Sequence, residues 1–105
     1  MSASGVLEAV ERIIDGDGDP DEVLQASVTT IVDRSEATWA AVLLMQDGEL
    51  VVGPEAGVAA PGERRGAPIV FQGATLGRLD VDGLDDQPLI DRLAVLLAPY
   101  CRPLI

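Results

Sequence analysis

Two aspartates two positions apart, Asp80 and Asp82, are the groups in this 105-residue chain best spaced to do chemistry together. Residues i and i+2 of a strand point to the same face. In an extended segment both carboxylates therefore stand together, able to hold an ammonium group or a cation, or to shift each other's pKa. Arg78 falls on the same face, and Arg64 and Arg65 stand at the end of the preceding segment. The plainer expectation is an exposed polar face neutralised by Arg78 and by Arg64 or Arg65, since surface charge pairs are common. A ligand site made of Trp39, Arg64, Arg78, Asp80 and Asp82 is the alternative. A general acid–base pair needs a closed pocket and a positioned substrate. No second catalytic partner is in view, because the chain has no His, no nucleophile motif and no Gly-rich phosphate loop.

Other reactive groups stand apart. Trp39 lies in an apolar run and reads as a core or sheet-face anchor before a ligand platform. Cys101 is the single cysteine, which excludes an intrachain disulfide and a Cys-cluster metal site. Its apolar surroundings suit a small packed residue. Asp15, Asp17 and Asp19 alternate like the start of a calcium loop, but Pro20 stands where the sharp turn wants Gly, and Ala26 where a bidentate carboxylate closes the site. The run reads as an interhelical linker with a helix cap, and neither a metal nor a cofactor is expected.

The elements that must position these groups follow from periodicity. From Gly5 to about Asp15, Val6, Leu7, Val10, Ile13 and Ile14 recur at helical spacing. A second helix starts at Asp19 as cap with Pro20 in its first turn and runs to about Arg34, with Val23, Leu24, Val28, Ile31 and Val32 inward. Ala37 to Met45 is apolar on both alternating sets, as in a strand covered on both faces. Asp47 and Gly48 make a hairpin turn into a partner strand from Leu50 to Gly53. Pro54 to Gly66, rich in Gly, Pro and Ala, reads as a surface connection. Ala67 to Gly83 is a second hairpin turning at Gln72 and Gly73, with Gly77, Leu79 and Val81 on one face and Leu76, Arg78, Asp80 and Asp82 on the other. Asp85 or Asp86 caps a last helix that is apolar around much of its circumference. The order ααββββα argues for one α+β domain over residues 1–105, an antiparallel sheet of about four strands with helices on one face.

Composition limits the partners. The formal net charge of -11 disfavours nucleic acid and anionic membranes, both of which attract basic surfaces. With neither a signal peptide nor a membrane-length apolar run, a cytoplasmic location is the expectation. With aromatics at 3%, the core must be built from Val, Leu, Ile and Ala.

Three segments in order, T-W-A-A-V, E-L-V-V-G-P-E-A-G and P-I-V-F-Q-G-A-T-L-G-R-L-D-V-D-G, resemble a GAF domain. They look most like the GAF-fold free methionine-(R)-sulfoxide reductases, and the resemblance covers roughly residues 19–100. It implies a GAF/PAS-like, profilin-like fold, and it matches Asp80 and Asp82 to the family's substrate-contacting aspartates. It also implies what is missing. That family carries its reactive and resolving cysteines between the two hairpins, where this chain has only the Cys-free Pro54 to Gly66. A family glutamate falls near Arg64, reversing the charge. Family chemistry, which depends on an accessible thiolate and a resolving partner, is therefore not expected.

The resulting expectation is a non-catalytic GAF-like module for homodimerisation and for small-ligand binding or signalling. GAF domains commonly dimerise through terminal helices, and the small size of the domain favours it. Val6, Val10, Ile13, Leu93, Leu96 and Leu97 are the candidate interface. In the plainer arrangement both helices pack on the sheet of their own subunit. The alternatives to the module are a residual small-molecule enzyme using Asp80 and Asp82, and a scaffold with no ligand.

Overall fold

The computed structural model describes residues 3–16 and 18–101. Helices α1 (Ala3–Asp15) and α2 (Pro20–Arg34) lead into strands β1 (Trp39–Gln46) and β2 (Glu49–Gly57). A 3-10 turn at Pro61–Glu63 connects these to β3 (Arg64–Phe71) and β4 (Ala74–Asp82), and helix α3 (Gln87–Leu97) closes the domain, ending in a 3-10 turn at Ala98–Cys101. The sheet is antiparallel in the order β2-β1-β4-β3, so the two hairpins join through β1 and β4. The α+β order expected from the sequence is the one observed.

Local chemistry accounts for each boundary. Asp47 and Gly48, and again Gln72 and Gly73, have positive φ at both central turn positions. This is the backbone that matches the twist of a two-residue hairpin. The Asp86 carboxylate accepts from the Leu89 N–H at 3.1 Å, capping α3, while Asp19 stands at the N-cap position of α2 without a side-chain bond. Its contribution is therefore its charge at the positive end of the helix dipole. Asp17 lies outside the described residues, which leaves Asp15 at the end of α1 and Asp19 before α2 to represent the alternating aspartates.

Helices α2 and α3 pack on one face of the sheet, and α1 packs against both of them. Val6 and Val10 of α1, Leu24, Val28 and Ile31 of α2, and Leu89, Ile90, Leu93 and Leu97 of α3 form one core with Ala40, Val42, Ala67, Ile69, Leu79 and Val81. This corrects the expected subunit interface. Val6, Val10, Leu93 and Leu97 are covered within the chain, and of the six candidates only Ile13 and Leu96 are partly exposed. The broad apolar circumference of α3 is used against the sheet and α1 at once.

Three strand expectations also change. β2 continues through Pro54 to Gly57 and β3 begins at Arg64, so the connection shrinks to residues 58–63. Pro54 sits where the β1–β2 register shifts, on an edge strand, and Pro68 sits in the other edge strand, β3. Proline is tolerated at both places because no ladder hydrogen bond is lost there. A second register shift opposite Ile69 and Val70 turns Leu76 toward the core, away from Arg78 and Asp80. β1 is buried only from Trp39 to Val42, and Met45 is exposed, because none of the described residues covers the outer face at that end.

Ser27 of α2 is fully buried, and its hydroxyl is the one buried side-chain polar atom without a partner among the described residues. Ser27→Ala is expected to raise stability by about 1 kcal/mol, since it removes an unsatisfied buried hydroxyl and improves helix propensity. A urea titration would show it as a higher midpoint at unchanged slope.

Candidate functional site

Cross-strand pairing assembles the polar residues on the sheet face opposite the helices. One row holds Gly57, Trp39, Asp82 and Arg64, and the next holds Glu55, Ala41, Asp80 and Gly66. Below them come Val52, Leu43, Arg78 and Pro68, and then Leu50 and Met45 on the β2–β1 side, with Val70 across on β3. All five candidate site residues, Trp39, Arg64, Arg78, Asp80 and Asp82, thus share one end of one face.

Asp82 is the centre of this end and is fully buried. Its two oxygens accept from Arg64 Nε at 2.8 Å and Nη2 at 2.9 Å, and the Ala60 backbone N–H donates to it at 2.6 Å. The Arg64 guanidinium also lies over the Trp39 ring, 4.3 Å from its centroid. Trp39 Nε1–H in turn donates to Glu55 Oε2 at 3.0 Å. An arginine held by a fork to carboxylate on one edge and by an aromatic face below is fixed in direction as well as charge. The hydrogen bonds from Arg64 hold the Asp82 carboxyl below the usual carboxylate range against the opposite pull of burial, and the same contact raises Arg64.

Asp80 is 7% exposed and accepts from Arg78 Nε at 2.5 Å. The absence of a side chain at Gly66 makes room for this pair, because a Cβ there would overlap the Asp80 carboxylate and the Arg78 guanidinium. The expected exposed polar face is therefore corrected in one respect and kept in another. Both carboxylates are buried, yet each is neutralised by its own arginine, as expected of Arg78 and Arg64. Arg65 turns elsewhere and pairs with the exposed Asp85 at 2.5 Å.

Glu55, Ala60 and Gly66 were not singled out in the sequence as site residues. Glu55 lies beyond the expected end of the partner strand at Gly53, and only the pairing of Ala41 with Glu55 brings it beside Trp39. The Ala60 N–H and the Gly66 gap leave no signal in a residue pattern. Two hollows in the surface, of about 400 and 530 Å³, lie at the Arg64–Leu84 edge and between α2, Leu44 and Tyr100 respectively; neither is lined by Trp39, Asp80 or Asp82.

Among the described residues no group of three or more His, Cys, Asp or Glu side chains is placed to hold a metal ion, and no helix is long and apolar enough to cross a membrane. Cys101 is buried, donates to the Leu97 carbonyl at 3.5 Å, and is pushed by burial from 9.0 to about 11. At pH 8 that shift lowers its thiolate population about a hundredfold. Labelling of Cys101 by an aromatic disulfide at pH 8 is accordingly expected to be at least about a hundredfold slower in the folded chain than in urea.

The fold is that of GAF domains. The chain is similar to the free methionine-R-sulfoxide reductase of Staphylococcus aureus solved in complex with substrate, with a TM-score of 0.78 at 13% identity over 96% of both chains. It is similar to the GAF domain of a phosphoenolpyruvate-protein phosphotransferase from Coxiella burnetii, with a TM-score of 0.76 at 17% identity over 95% of this chain and 94% of that one. A reductase from Neisseria meningitidis, also solved with its substrate, gives 0.74 at 17% identity, covering 94% and 89%. No protein-family model and no curated protein sequence matches the chain. At such identities the likeness defines the fold, which the reductases and the GAF domains share.

Proposed function

We propose that the chain is a non-catalytic GAF-like module that works by binding through its sheet. The observation that carries this reading is the neutralisation of Asp82 by Arg64 and of Asp80 by Arg78 within the chain itself. A carboxylate already held by a guanidinium is a poor general base, and a substrate ammonium would have to displace Arg64 from both Asp82 and Trp39. Cys101 supports the same reading, being buried and protonated at neutral pH. Homodimerisation through the helices would rest on Ile13, Val95 and Leu96, since the other four candidate side chains are in the core. The test is an assay of free methionine sulfoxide reduction with a thiol reductant. No turnover is expected, and turnover by the intact chain that the Asp80→Asn, Asp82→Asn double variant loses would overturn the reading.

A further inference from the structure

The polar end of the outer sheet face is closed by its own ion pairs, whereas the other end is apolar and is not covered by any of the described residues. Met45, Leu50, Val52 and Val70 are 41–51% exposed there, beside the half-buried Leu43. Strand pairing puts Met45 opposite Leu50 and Leu43 opposite Val52, so these four form one cluster on one face, and Val70 stands on the same face across β4, paired with Thr75. An apolar sheet face is covered by another layer in a finished domain.

Resting on the reading of the chain as a binding module, we propose that this end docks an amphipathic helix of a partner protein whose apolar stripe is flanked by Lys or Arg. Size argues for a helix over a second copy. The patch is on the order of a few hundred Å², well below the roughly 800 Å² that each partner of a stable dimer buries. From β2 to β3 the sheet is about 14 Å wide, the length of roughly ten helical residues. Such a helix presents three apolar positions at i, i+3 or i+4, and i+7. Charge selects the flanks. The chain carries -11, Asp47 stands in the β1–β2 turn and Glu55 lies on the same face as Val52, while Arg78 is paired with Asp80. Two copies would repel, and a basic helix would be attracted and oriented.

The probe is a fluorescent 18-residue peptide of Leu and Lys in helical amphipathic order, titrated by anisotropy at physiological salt. The expected result is saturable binding that the Met45→Glu, Val52→Glu variant weakens about tenfold or more. That variant is two charges more acidic, so attraction by charge alone predicts equal or tighter binding, and this result would overturn the proposal. The peptide with Glu for Lys is expected to bind at least about tenfold more weakly, and equal binding would overturn the basic flanks. Methyl resonances give a readout on the unaltered chain: peptide-induced shifts belong at Met45, Val52 and Val70, and shifts confined to Val95 on α3 would place the helix on the wrong surface and overturn it. Light scattering of the free chain is expected to give a monomer; a dimer dissociated by Met45→Glu would make the occupant a second copy. Loss of the peptide result without methionine sulfoxide turnover removes the partner class and leaves the non-catalytic module standing.

Discussion

Leu93→Ala is expected to lower the unfolding free energy by about 3 kcal/mol, by the same amount at low protein concentration and at one about a hundredfold higher. Leu93 is fully buried in the core where α3 meets the sheet, so truncation removes apolar contact and leaves a cavity that a close-packed interior refills only in part. The concentration control distinguishes two roles for the same residue. If Leu93 sealed a subunit interface, stability would depend on protein concentration in the parent chain and the substitution would abolish that dependence. A loss that is independent of concentration assigns Leu93 to the fold of one chain. A change of less than about 1 kcal/mol would contradict its placement.

The second large effect is expected at Asp82. Asp82→Ala leaves the Ala60 N–H without its acceptor and the Arg64 guanidinium without its fork. The expected loss is about 2 kcal/mol, at the lower part of the range for breaking a buried charged hydrogen bond, because the Arg64 side chain is 33% exposed and water recovers part of its hydration. Trp39 is the single tryptophan and carries the stacked arginine, so its emission should change in the folded variant even before any denaturant is added. The pH dependence follows in sign. The folded pKa of Asp82 is depressed, so its contribution is present above the unfolded value near 3.9 and is lost as pH falls through the lower folded value. Asp82→Asn, which cannot titrate, is expected to lose less stability than the parent chain between about pH 5 and pH 2. Equal acid sensitivity in the two proteins would count against the Arg64–Asp82 pair.

Much of this architecture is legible in the amino-acid sequence. Alternation of Leu79 and Val81 with Asp80 and Asp82 identified the core and outer faces of β4, and Asp47–Gly48 with Gln72–Gly73 located both turns, because these signals are local. The capped start of α3 was legible for the same reason, Asp86 standing three residues before Leu89. What escaped is what depends on distant chain. Whether α3 covers its own sheet or a partner's cannot be decided by a helical period, which records that Leu93 and Leu97 must be buried but not by what. Arg64 and Arg65 fell within the expected surface connection, since Gly and Pro around them suggested a loop. Their true setting, at the start of an edge strand opposite Asp82, depends on the pairing of β3 with β4. Leu76 was assigned to the wrong face because one extra residue in β4 inverts the alternation on its far side.

Pro54 and Pro68 lie within the two outermost strands, β2 and β3, one at each margin of the sheet. Each removes a backbone donor that an incoming strand would need, so the sheet resists lengthening from chain to chain. The uncovered apolar residues Met45, Val52 and Val70 could otherwise turn a small, marginally sized domain into the seed of a ribbon. With both margins blunted, contact is directed onto the flat of the sheet, and a highly acidic chain can keep a sticky surface available without polymerising through it.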